Sequence, residues 1–182
     1  MTELSLSAVN AKSPYCLRIS PLGGFDFDTD TELTYNIALI QDHTLGDDFE
    51  AYMLNILPRS MEEFRKIRQE HRVKVRADNK IKNTLVALLE EAMKNRNIVI
   101  DYVCMSEDYK QSCRARLFEM WFKELADNEK YRLFTTSLKV ENVTNHFGAF
   151  ICRDNDKYDL FCEAFKNFDR NIHKDSEWNV EN

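Results

Sequence analysis

The sequence is poor in the two residues that break regular structure, with four glycines and three prolines in 182 residues. That excludes collagen-like and low-complexity chains, and no Pro/Gly-rich linker divides it. No pair among its five cysteines (Cys16, Cys104, Cys113, Cys152, Cys162) has C-x-x-C spacing. Neither a zinc ribbon nor a thioredoxin-type motif is therefore present, and reduced thiols packed as small hydrophobes are expected. No apolar run approaches the ~18 residues of a membrane span. Met1 to Lys12 lacks the basic start and apolar stretch of a signal peptide. Phosphate-binding glycine loops, G-x-S-x-G elbows and His-rich metal spacing are also missing. The expectation is a cytoplasmic protein, off the membrane, with no cofactor and no metal.

What is present is enough to build a core: 43% hydrophobic residues, including 12 Phe, 7 Tyr and 2 Trp. The length suits a single domain spanning residues 1–182, with a core over about 14–172 and flexible ends at 1–12 and 174–182. Net charge is −6, unevenly placed. Arg59 to Lys82 carries nine basic and four acidic residues, leaving a +5 strip on a −11 body.

Hydrophobic periodicity orders the elements. Tyr15, Leu17 and Ile19 alternate with polar neighbours, Phe25 to Asp28 resumes the alternation, and Leu33, Tyr35, Ile37 and Leu39 share a face. Tyr52, Leu54 and Ile56 make a fourth strand, so an N-terminal antiparallel meander is predicted. Ser60-Met61-Glu62-Glu63 matches a capping box for a short basic helix. Arg72 to Arg76 reads as an extended connector. Asp78 can cap a helix whose stripe is Ile81, Leu85, Leu88, Leu89 and Ala92. Ile98 to Met105 is nearly continuous in apolar residues, the mark of a central strand buried on both faces. Ser106 can cap a helix to about Asn128. Strands at Tyr131–Val140 and His146–Cys152 follow, with a turn over Glu141 to Asn145. Asp154 or Asn155 then caps a last helix, its tail fraying from Lys174. The fold class is α+β: a mixed, largely antiparallel sheet with three to four helices packed mainly on one face.

The junction after Cys104 is the first candidate site. On a helical wheel, Leu117, Phe118, Trp121, Phe122 and Leu125 define the buried face, and Lys110 and Arg114 lie on it. Arg116 points the opposite way, to solvent. An arginine on an apolar face must find a partner. A carboxylate such as Asp101, Glu107 or Asp108 would make Arg114 a structural clamp, whereas a phosphate or carboxylate ligand would make it functional. Cys104 stands next to a helix start, where a thiol pKa can be lowered, and His71 or His146 would have to approach it to form a dyad; the plainer reading is a buried strand cysteine. Asp108 and Lys110 superficially fit the D-x-K half of a nuclease motif, but in a first helical turn they cannot share a strand face. The candidate ligand-binding set is Cys104, Asp108, Lys110 and Arg114.

The hydrophobic strand ending at Cys104, followed by Asp108, Gln111, Arg114, Arg116-Leu117-Phe118 and Trp121-Phe122, resembles a bacterial family of small proteins, a domain of unknown function. The resemblance takes in Tyr15 to Ile40 and the Asp78–Ala92 helix, about Tyr15 to Phe168 in all. It does not take in Ser60 to Arg76. It supports the fold boundaries and implies no reaction.

The second candidate is the basic strip. Arg65 and Arg68 on a helix, with Arg72, Lys74 and Arg76 on an extended edge, would neutralise several phosphates. Only Phe64 offers a stacking surface, which argues against single-strand recognition. The plainer reading is a solvated connector paired with the acidic body. Three functions follow. The first is a non-enzymatic interaction or regulatory protein, a homo-oligomer or immunity-like partner associating through a sheet edge. The second is a nucleic-acid-associated factor using Arg59–Lys82. The third is an enzyme at the Cys104–Arg114 junction.

Overall fold

A computed structural model describes residues 4–70, 79–104, 111–125, 129–140 and 143–178. Among them are five helices and a seven-stranded mixed sheet, the α+β class expected. The elements in chain order are α1 (Leu6–Asn10), β1 (Arg18–Ile19), β2 (Phe25–Asp28), β3 (Thr34–Asp42), β4 (Glu50–Pro58), α2 (Met61–Glu70), α3 (Asn79–Ala92), β5 (Ile98–Cys104), α4 (Gln111–Leu125), β6 (Tyr131–Val140), β7 (Val143–Cys152) and α5 (Tyr158–Trp178). The strand order is β1-β2-β3-β4-β5-β7-β6. β4 and β5 run parallel, whereas β1–β2, β2–β3, β5–β7 and β6–β7 are antiparallel. The chain divides into two compact units, Met1–Leu39 with Leu54–Asn95 and Ile40–Met53 with Arg96–Asn182.

The first unit holds the start of the meander. Gly23 and Gly24 turn the chain between β1 and β2 with positive φ. At Gly24 a Cβ would run into the Ile37 carbonyl, so only glycine allows this approach. Phe27 and Ile37 are fully buried, and Tyr15 and Tyr35 stack on Phe27. The alternation in Tyr15, Leu17 and Ile19 breaks at its end. Only Arg18–Ile19 pairs as strand, and Ile19 is 77% exposed. The chain before it is held by side chains instead, because Asn10 Oδ1 accepts from the Leu17 amide at 2.8 Å and Thr84 Oγ1 accepts from the Tyr15 amide at 3.2 Å. Ser60 caps α2 as expected, its Oγ accepting from the Glu63 amide at 3.1 Å. Leu85, Leu88, Leu89 and Ala92 form the buried stripe of α3. The Arg72–Arg76 connector and the Asp78 cap lie outside the described residues.

The second unit is built around β5, fifth of the seven strands and buried at every position except a half-buried Val103. Apart from Asp101 both faces are apolar, and each takes a helix, where packing mainly on one face was expected. On one, Tyr102 stacks against Phe118 and Phe122 of α4, and Phe122 against Phe150. On the other, Val99, Ala51, Ala149 and Ile151 pack with Phe161 and Phe165 of α5. Gly148 faces Tyr102 across the β5–β7 ladder, and a Cβ there would overlap the tyrosine ring. Asn155 caps the approach to α5, its Oδ1 accepting from the Lys157 amide at 2.8 Å. Two boundaries differ from expectation. β7 begins at Val143, inside the predicted turn, because its pairing with β6 continues to Val140↔Val143. α5 continues through Lys174 to Trp178, so the polar tail extends the helix. Ser106 lies outside the described residues.

Candidate functional site

At the end of β5 the register does what the sequence left open: it sets His146 of β7 directly across from Cys104. Residues so paired carry Cβ atoms about 4.5–5.5 Å apart. Ser112, in the first turn of α4, completes the group by hydrogen bonding His146 Nε2 at 3.1 Å. A thiol and an imidazole therefore share one register step, and a hydroxyl of α4 bonds the imidazole. The thiol is sealed, since Cys104 is only 2% exposed. Beneath it, burial raises the Tyr102 phenol far above its usual range, with Cys104 and Glu119 adding to the effect.

Arg116 is exposed, as the wheel requires, and its Nε donates to the Ser112 carbonyl at 3.2 Å. Phe118, Trp121 and Phe122 are buried. Asp108 and Lys110 lie outside the described residues, and so does the side chain of Arg114. The proposed clamp partner Asp101 has another carboxyl beside it. Asp42, at the end of β3, hydrogen bonds it, and together burial first and the Asp42 charge second push the Asp101 carboxyl up to about 8. Asp101 is 8% exposed, and its Oδ2 has no hydrogen-bond partner among the described residues. A carboxyl with such a value is protonated at neutral pH and donates to its neighbour rather than repelling it. Asp42 is held in place by Thr44, whose amide and hydroxyl donate to Asp42 Oδ1 at 3.3 and 2.8 Å. Sequence reading missed this pair because Asp42 and Asp101 are 59 positions apart and share no motif.

The basic strip is partly consumed by the body. Arg59 Nη1 reaches Asp26 Oδ2 at 3.0 Å, and Asp26, 1% exposed, also accepts from Asn36 at 2.9 Å. Lys80 Nζ reaches Asp30 at 2.6 Å. Arg65 is exposed on α2. Arg72, Lys74 and Arg76 lie outside the described residues, together with the side chain of Arg68.

Among the described residues the two outer strands of the sheet differ sharply. β1 is two residues long. β6 is ten, and pairs with β7 in ten consecutive register steps without a bulge. It contains no proline, and Leu133, Phe134 and Leu138 are only half-buried on it. Arg132 is turned back onto the protein, donating to the Tyr158 hydroxyl at 3.2 Å and lying 4.7 Å over the Phe134 ring. Such an edge presents a row of backbone donors and acceptors to another strand.

A family model described as "Family of unknown function (DUF6169)" matches residues 77–167. The chain belongs to this family. The DUF6169 match takes in α3, the β5–α4 junction and the β6–β7 hairpin, the segment on which the sequence resemblance chiefly rested, and leaves β1–β4 outside it. No curated protein and no solved structure matches the chain. No helix among the described residues is long and apolar enough to cross a membrane.

Proposed function

We propose that this DUF6169 chain is a non-enzymatic interaction protein that takes its partner on the outer edge of β6. One observation carries the reading: a ten-residue, unbulged, proline-free strand stands outermost among the described strands of the sheet. Proteins without a partner for such an edge usually shorten, kink or charge it, as β1 is shortened here, whereas on β6 the exposed Lys139 stands one residue from the strand's end and leaves the six residues from Leu133 to Leu138 uncharged. A bound strand would gain main-chain hydrogen bonds along β6 and side-chain contacts with Leu133, Phe134 and Leu138. The sealed Cys104 fits this reading better than an enzymatic one, because a substrate would have to open the β5–α4 packing to reach the thiol. Buried thiols at Cys104 and Cys152 suit a cytoplasmic setting.

The test compares the wild-type chain as bait with a variant carrying Thr135→Lys and Ser137→Lys on β6. Thr135 is exposed and Ser137 half-buried, so the monomer tolerates both. Partners retained by wild type and lost by the variant support the edge. Equal retention by both baits overturns it.

A further inference from the structure

Resting on that reading, we infer that the strand received by β6 is the β6 of a second copy of this chain, in an antiparallel register centred on Thr136. Symmetry narrows the choice first. A two-fold axis normal to a sheet preserves the two faces, so some residue of β6 must stand opposite its own copy. Registers centred between residues are thereby excluded, because they would pair side chains from opposite faces.

Chemistry then selects among the residue-centred registers. On the α5 side of β6 lie Arg132, Phe134, Thr136 and Leu138, as the contacts of Phe134 with Phe161 and of Thr136 with Asp169 show. Centring on Thr136 sets Phe134 of each copy opposite Leu138 of the other, joining two half-buried apolar side chains twice over. On the opposite face it sets Thr135 against Ser137 and Leu133 against Lys139. Arg132 then stands across from Val140, so no like charges meet. Moving the centre to Thr135 places Phe134 against Thr136 and Arg132 against Leu138, and both apolar pairs are lost. Hydroxyl–hydroxyl pairs stabilise neighbouring strands, packed apolar pairs bury surface between them, and directly opposed like charges destabilise them. Each Asp169 near the axis is bonded by the Thr136 hydroxyl of its own chain. The product is one sheet continued through two chains, with no free long edge at the junction.

The experiment uses the full chain in sedimentation velocity over a concentration series. Wild type is expected to associate reversibly to a dimer. Thr135→Lys with Ser137→Lys opposes lysines at two places and is expected to weaken the dimer about tenfold or more, at unchanged circular dichroism. Thr135→Glu with Ser137→Glu is expected to weaken it likewise. Mixing the two variants sets an introduced lysine opposite an introduced glutamate at both places, and is expected to restore a mixed dimer. A wild-type chain that stays monomeric at high micromolar concentration overturns the second-copy inference, while the bait comparison above still decides whether β6 takes some other strand. A dimer insensitive to both variants places self-association on another surface. A dimer disrupted by both but not restored on mixing rejects the Thr136 register.

Discussion

Asp101 is the residue whose titration the fold most alters. A carboxyl with an ordinary value near 3.9 unfolded and about 8 folded keeps a proton through folding that the unfolded chain has released. The folded state therefore binds more protons than the unfolded between about pH 4 and 8. Stability is undiminished below that window and falls as pH rises through it. Unfolding midpoints measured from pH 5 to 9 should decline for wild type and flatten for Asp101→Asn, with the variant the more stable at pH 9. Equal slopes would show that the Asp42–Asp101 contact does not set the pH response. Gly148 makes an independent claim. Gly148→Ala drives a methyl into the Tyr102 ring, which Phe118 and Phe122 hold from the other side. A loss of about 1–3 kcal/mol is expected in urea unfolding, and a neutral result would mean the Tyr102 stack moves aside freely.

At the scale of elements, most of the architecture could be read from periodicity. β5 announced itself because seven residues in which apolar side chains occupy both faces have no stable place except mid-sheet. α2 was legible from Ser60, whose cap bond is present, and Ser60→Ala should lower stability by about 1 kcal/mol while Ser60→Asp preserves it. What periodicity misread were ends. β1 shrinks because tertiary hydrogen bonds from Asn10 and Thr84 satisfy the chain that alternation assigned to strand. β7 starts early because a hairpin ladder extends wherever the partner strand offers a register mate, a long-range fact invisible in His146 alone. The Cys104–His146 juxtaposition was illegible for the same reason: it depends on a register, and registers belong to pairs. α5 anchors its unit through Phe161, which is fully buried among Phe49, Phe134 and Phe165. Phe161→Ala should cost about 3–5 kcal/mol in urea unfolding, most of the stability of a domain at the lower end of the usual range of about 5–15 kcal/mol.

At the scale of the molecule, charge placement bears on the nucleic-acid reading. Two of the nine basic residues in the strip, Arg59 and Lys80, are paired with Asp26 and Asp30 on the protein itself. The chain as a whole carries −6. A polyanion would have to approach against that net negative charge, so mobility-shift titrations with duplex DNA and with RNA at low salt should show no saturable complex. Binding that falls steeply with salt, and weakens in Arg72→Ala, Lys74→Ala and Arg76→Ala, would revive that reading.

The mixed topology also has a temporal side. The β6–β7 ladder joins residues as close as Val140 and Val143, whereas the parallel β4–β5 pairing joins Glu50 to Ile98. Loop closure makes the first pairing quick and the second slow. During synthesis β4 emerges well before β5, and Ala51 and Tyr52, both buried in the finished protein, wait on an unfilled edge. Folding of this chain should therefore be gated by the arrival of Ile98–Cys104, and slowed translation just upstream of that strand should raise aggregation more than an equal delay within the C-terminal hairpin.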